Sequence, residues 1–202
     1  MKFIDLVIEY PNALSDQFCD DLISKFDSDD RSMPGITGGG FDPETKDSLD
    51  LNFSSLEDWS EYDSKLYSIF SPYVAEYTEF LCDNFRKNYN NITDSGYQIQ
   101  KTTPNGKYIW HTDDCLTVIN DKMAAERYAT YIFYLNDVPE ENGGATKFLL
   151  GGEEHSIRPT KGTLLLFPSL SLYTHCGDIL TNGVKYLATG WLMHETTYKS
   201  RL

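Results

Sequence analysis

Near residue 95 the chain changes its period, and that change constrains the fold more than any other feature. Before it, Phe18, Leu22, Ile23 and Phe26 recur at helical spacing behind Ser15, a natural N-cap, with Asp16 at the favourable end of the helix dipole. Leu66, Ile69, Phe70, Tyr73, Val74, Tyr77, Leu81 and Phe85 repeat the pattern over several turns. Ser71-Pro72 interrupts it, so this second helix either kinks there or restarts at Pro72 with Ser71 as its cap. After residue 95 the runs are short and rich in aromatic and β-branched residues: 97–103, 128–135, 145–149, 163–167, 172–176 and 185–192. Turn pairs such as Asn105-Gly106, Gly151-Gly152 and Asn182-Gly183 separate them. So many short runs do not suit a parallel sheet with helical crossovers. The expected class is α+β: an antiparallel sandwich or jelly roll over residues 96–195, supported by residues 1–95, which read as helices and a glycine-rich loop.

With 202 residues the chain suits one domain large enough to bury a core, and its 14 Tyr and 11 Phe provide one. Thirty-one acidic residues against 17 basic ones give a net charge of −14. That charge repels polyanions and, with no basic stripe in view, argues against nucleic acid as a partner. No apolar run reaches membrane-spanning length, and an acid at Asp5 interrupts any leader core, so a cytoplasmic protein with no membrane partner is expected. Cys19, Cys82, Cys115 and Cys176 are scattered, as reduced thiols would be. No heptad pattern indicates an oligomeric state.

Two ligands for a metal come from His111-Thr112-Asp113, because residues i and i+2 of a strand project to one side. Alone, such a pair is ordinarily a surface hydrogen bond. His175, ending the run Leu172-Tyr173-Thr174-His175, is the best placed of the remaining histidines to complete it. Two histidines and one carboxylate make the facial triad of non-haem iron(II), with three-ligand zinc as the competing assignment. Ten residues on, Lys185 opens a strand whose alternation places Lys185, Leu187, Thr189 and Trp191 on one face. If that face is inward, the buried ammonium needs an internal carboxylate or an anionic ligand, and a dicarboxylate cosubstrate would serve.

Over residues 97–192 the sequence resembles the iron(II)- and 2-oxoglutarate-dependent dioxygenases, in the prolyl 4-hydroxylase-like branch that includes small bacterial and viral members. The resemblance rests on Tyr108-x-x-His111-x-Asp113, Arg127-x-x-Thr130-x-x-x-Tyr134-Leu135-Asn136 and Gly143-Gly144-x-Thr146-x-Phe148, in that order. Pro159-x-x-Gly162, Phe167, His175, Gly183, Lys185-Tyr186 and Trp191 follow. It implies a double-stranded β-helix in which His111, Asp113 and His175 bind iron. It further implies 2-oxoglutarate as cosubstrate with its distal carboxylate on Lys185, Tyr134 as a second contact, and Thr189 and Tyr108 as further ones. Thr102 stands where the family often has a contacting tyrosine. The implied reaction hydroxylates an unactivated C–H bond with dioxygen, releasing succinate and carbon dioxide, with ascorbate as reductant; a carboxylate at Asp113 implies hydroxylation rather than halogenation. A prolyl residue of a peptide or protein is the leading substrate, a free amino acid or another side chain the alternative. A cupin-like metal-binding module without activity is the reading from another class, but such a module has no need of Lys185.

Arg127 suits either a substrate contact or a surface ion pair. The loop 33–43 suits either a lid or a plain connection. Trp191, Phe148 and Phe167 are expected to pack behind the metal, Asp114 to face away from Asp113, and neither Cys115 nor Cys176 to bind iron.

Overall fold

In the computed structural model, residues 2–118 and 123–197 are described. Elements run β1 (Ile8–Tyr10), α1 (Asp16–Asp27), β2 (Met33–Pro34), β3 (Leu49–Asn52), α2 (Ser60–Phe85), β4 (Thr93–Asp94) and β5 (Gln98–Thr102). Then follow β6 (Tyr108–His111), β7 (Leu116–Val118), β8 (Met123–Tyr134), β9 (Thr146–Leu150), β10 (Glu153–Ile157), β11 (Leu164–Pro168), β12 (Thr174–Gly177) and β13 (Lys185–Thr197). A nine-stranded sheet has the order β1-β11-β8-β13-β5-β3-β2, with β7 added on β8 and β4 on β13. A four-stranded sheet has the order β10-β9-β12-β6. The pairings are antiparallel, and aromatic contacts such as Phe148 on Phe167, with ring centres 4.9 Å apart, join the two inner faces.

Alternation along β8 divides the molecule into layers. Thr130 and Ile132 turn inward to a cleft, while Tyr131 and Phe133 turn outward, where Phe70 of α2 meets them at 4.5 and 5.3 Å between ring centres. Close approach on that outer face needs Gly190, because a Cβ there would stand 2.2 Å from the Tyr131 hydroxyl, which donates to the Gly96 carbonyl. Helix α1 begins as expected, Ser15 Oγ accepting from the Phe18 amide at 3.3 Å, and buries Phe18, Cys19, Leu22 and Phe26.

At Ser71-Pro72 the structure excludes a restart, and the expectation of a helical first half is corrected. Helix α2 runs unbroken through Pro72. The Ser68 carbonyl, which the missing proline N–H leaves without its helical donor, instead receives the Ser71 hydroxyl at 3.4 Å. Nor is the first half purely helical: β1 forms one end of the large sheet, and β3 and β2 form the other. These strands are too short to show alternation, and only the central strands they pair with define them.

Candidate active site

His111 ends β6, His175 lies on β12, and the two pair directly across the small sheet. Asp113 follows two residues after His111, outside regular structure. Asp113 Oδ1 is 3.8 Å from His111 Nε2 and Asp113 Oδ2 is 3.5 Å from His175 Nε2, and the three candidate donor atoms all lie within 4.8 Å of one another. Each imidazole is oriented by its own strand: His111 Nδ1 faces the Ile109 carbonyl at 2.8 Å, and His175 Nδ1 faces that of Tyr173 at 2.9 Å. With the Nδ1 protons donated there, both Nε2 lone pairs point into the gap beside the carboxylate. Burial, reinforced by His175, pushes His111 below the ordinary imidazole range, keeping it neutral as a ligand must be. Phe167 and Phe148 back His175 at 4.8 and 5.7 Å between ring centres, as expected.

The cluster opens into a cleft of about 660 Å³, counting the part open to solvent. Lys185, Leu187, Thr189 and Trp191 of β13 all line it, so the lysine face of that strand is inward. Three lysines reach the cleft. Lys46 is paired with Asp50 at 2.6 Å and Lys107 with Glu44 at 3.3 Å, but Lys185 forms no ion pair among the described residues. Its ammonium, 4% exposed, donates to the Gly144 carbonyl at 2.9 Å, and burial pulls it down to about 8. Gly144 has φ +70°, and a Cβ there would press on Leu180 at 2.8 Å, so glycine holds that carbonyl in place.

Thr102 lies opposite Lys185 in the β5–β13 register and lines the cleft, and Tyr108 lines it too, its ring stacked on His111 with centres 3.6 Å apart. Burial pushes the Tyr108 hydroxyl up to about 12, so it stays protonated. Thr189 reaches the wall, with its hydroxyl committed to the Tyr131 carbonyl at 2.7 Å. Tyr134, expected as a cosubstrate contact, is fully buried beside the wall and donates at 2.7 Å to Thr146, which reaches the cleft. Trp191 departs from expectation. It lies on the cleft wall under Arg127, whose guanidinium carbon is 3.6 Å from the ring centre, and not behind the metal cluster. Arg127 forms no ion pair among the described residues, and its Nη1 stands 3.5 Å from the Asp113 carbonyl. The Trp191 indole N–H is buried without an acceptor among the described residues. Asp114 is exposed and takes the Thr112 hydroxyl, and neither Cys115 nor Cys176 belongs to the donor cluster, although Cys176 reaches the wall.

Lys46 and Thr146 went unassigned in the sequence. Thr146 shares its strand face with Phe148, an alternation signal that could have found it. Lys46 carries no pattern. It is delivered by the irregular stretch 45–47, which hydrogen-bonds to the edge of β6 through the Asp47 amide to the Lys107 carbonyl and the Ile109 amide to the Thr45 carbonyl.

A jelly roll whose mouth holds a His–Asp–His cluster beside a buried lysine without a counter-ion among the described residues has the ligand set of non-haem iron(II) and a cation for an anionic cosubstrate. Residues 97–193, the part that carries this site, match the 2OG-Fe(II) oxygenase superfamily. Among curated relatives, prolyl 4-hydroxylase 1 of Arabidopsis thaliana is 31% identical over 118 residues, 50% of this chain and 41% of that one. A PKHD-type hydroxylase of Synechococcus sp. (strain CC9902) is 29% identical over 85 residues, 42% of this chain and 35% of that one. The chain thus covers less than half the length of either relative. Among solved structures, the viral collagen prolyl hydroxylase of Paramecium bursaria Chlorella virus-1 in its 2OG complex superposes with a TM-score of 0.65 at 21% identity, over 94% of this chain and 96% of that one. A Trichoplax adhaerens prolyl hydroxylase, in complex with a hypoxia inducible factor peptide fragment, gives 0.75 at 18%, over 93% and 83%. Over residues 97–193 the chain is similar to the 2OG-Fe(II) oxygenase superfamily and to prolyl hydroxylases in particular, and it has the double-stranded β-helix fold of the solved structures. Iron(II), 2-oxoglutarate and dioxygen are the reagents of that superfamily, and the donor set and the lysine fit them.

Proposed function

We propose that the protein hydroxylates a prolyl residue of a polypeptide, using iron(II), 2-oxoglutarate and dioxygen. One observation carries the chemistry: a single cleft joins the His111–Asp113–His175 cluster to Lys185, a buried cation with no carboxylate partner among the described residues. When bound, the metal and cosubstrate supply an oxidant able to hydroxylate an unactivated C–H bond, with 2-oxoglutarate leaving as succinate and carbon dioxide. His111, Asp113 and His175 would hold the iron, and Lys185 would take the distal carboxylate of 2-oxoglutarate, against the polar wall of Thr102 and Thr146. Phe148 and Phe167 exclude water behind His175. A metal-binding module without activity has no use for the unpaired ammonium.

For the substrate, the names of the relatives support a prolyl residue. Arg127 supports a backbone partner, since its guanidinium stands beside Asp113 with no ion pair among the described residues and has further donors that a peptide carbonyl would satisfy. Across the large sheet the register runs from Thr189 to Gln98 to Asn52, toward a further cleft beneath the exposed Met33, Ile36 and Phe41, where flanking residues of a chain could lie. This cleft suits a polymer better than a free amino acid.

The test is mass spectrometry of proline-containing peptides incubated with the protein, iron(II), 2-oxoglutarate and air. Gain of one oxygen on proline, matched by succinate, is expected; oxygen appearing on free amino acids and never on peptides would overturn the polypeptide reading. Arg127→Ala is expected to raise KM for the peptide about tenfold or more while leaving 2-oxoglutarate affinity unchanged, as loss of one charged donor implies.

A further inference from the structure

We propose that Thr130, oriented by Ser169, is the positioning residue that fixes the Asp113 carboxylate so that it meets the metal through one oxygen. This inference rests on the metal reading of the His111–Asp113–His175 cluster. Asp113 is the ligand whose backbone lies in no strand, so the ladder that orients the two imidazoles does not reach it. A hydroxyl on the opposite sheet does. Thr130 Oγ1 donates to Asp113 Oδ2 at 2.8 Å. A hydroxyl has one proton, so the second contact of Thr130 Oγ1, 2.8 Å to Ser169 Oγ, has Ser169 donating. The chain Ser169 to Thr130 to Asp113 therefore has a fixed direction.

Both hydroxyls are held rigidly. Thr130 and Ser169 are 2% and 1% exposed, Thr130 pairs with Phe167 in the β8–β11 ladder, and the Ser169 amide donates to the Tyr128 carbonyl. A buried carboxylate with one oxygen engaged by a short hydrogen bond is set in angle, and the lone pair used in that bond is withdrawn from the metal side. Binding through one oxygen leaves more of the coordination sphere open than a chelating carboxylate does, and an oxygenase needs those positions for cosubstrate and dioxygen. Each of the three ligands then has its own outer partner: the Ile109 carbonyl, the Tyr173 carbonyl and the Thr130 hydroxyl.

The experiment is anaerobic titration of the protein with cobalt(II), which reads affinity and, through its visible absorption bands, coordination number, with no turnover required. Thr130→Val keeps the shape and removes the donor; it is expected to weaken cobalt(II) binding about 10–100-fold and to change the intensity of the bands. Thr130→Ser restores the hydroxyl and should return both to within about threefold of wild type. Ser169→Ala, which leaves Thr130 free to turn its proton elsewhere, should weaken binding severalfold, and this variant decides the matter if Thr130→Val fails to fold. Wild-type affinity and an unchanged spectrum in the folded Thr130→Val protein, or in Ser169→Ala if Thr130→Val does not fold, would overturn the proposal. His111→Ala run alongside tells this apart from failure of the metal reading: if it binds cobalt(II) as wild type does, the cluster is not the metal site at all.

Discussion

Lys185 sets stability and function against each other. Its ammonium has one backbone acceptor and no counter-ion among the described residues, and burial brings it from 10.5 to about 8. Between those two values the unfolded chain binds more protons than the folded one, so this site makes the ligand-free protein more stable as pH rises through that window. The gain is about 3 kcal/mol at most. Lys185→Met is accordingly expected to stabilise the ligand-free protein at pH 7 by about 1–3 kcal/mol in urea unfolding while abolishing 2-oxoglutarate binding. A destabilised variant that still binds would contradict the assignment. In the wild type, calorimetric affinity for 2-oxoglutarate should fall by up to about tenfold per pH unit above about 8, as the free lysine loses the proton that the distal carboxylate needs.

At the scale of elements, the rim of the cleft is held by the buried ion pair Lys46–Asp50, at 2.6 Å, with Ser48 donating to the same carboxylate. The pair ties the end of the glycine-rich loop to β3, and Lys46 lies 5.5 Å from the centre of the Tyr108 ring that stacks on His111. Removing one partner leaves an uncompensated buried charge, so Lys46→Met should cost about 3–5 kcal/mol in urea unfolding. Replacing both partners with apolar residues should recover most of that. Ser15→Ala, losing only a cap, should cost about 1 kcal/mol. The same elements show what can be read in advance. Strands β5, β8, β9, β11, β12 and β13 carry long alternation or clear turn signals, and the two helices carry strong apolar stripes, so the sandwich and its outer layer were legible. Strands β1, β2 and β3 have two to four residues each, and their pairing comes from central strands distant in the chain. At the candidate site, period-two parity placed Lys185, Leu187, Thr189 and Trp191 on one face, and all four line the cleft; it did not place Asp113, which lies beyond the end of β6 rather than on the strand with His111. The depth at which Tyr134 lies, behind Thr146, is something alternation cannot report, and Lys46 arrives on irregular chain.

For the whole molecule, the −14 charge favours neutral or basic polypeptides as partners, an attraction that salt screens. Peptide KM should rise with ionic strength for basic substrates and stay flat for neutral ones, and a fall for basic peptides would contradict that view. The measurement that bears most directly on the account is anaerobic calorimetry of 2-oxoglutarate binding to the iron(II)-loaded protein, to the metal-free protein, and to His111→Ala and Lys185→Met. Binding that requires metal and is lost in both variants is the expected result. Equal binding with and without iron, or undiminished binding in Lys185→Met, would show that the cluster and the lysine do not form one site.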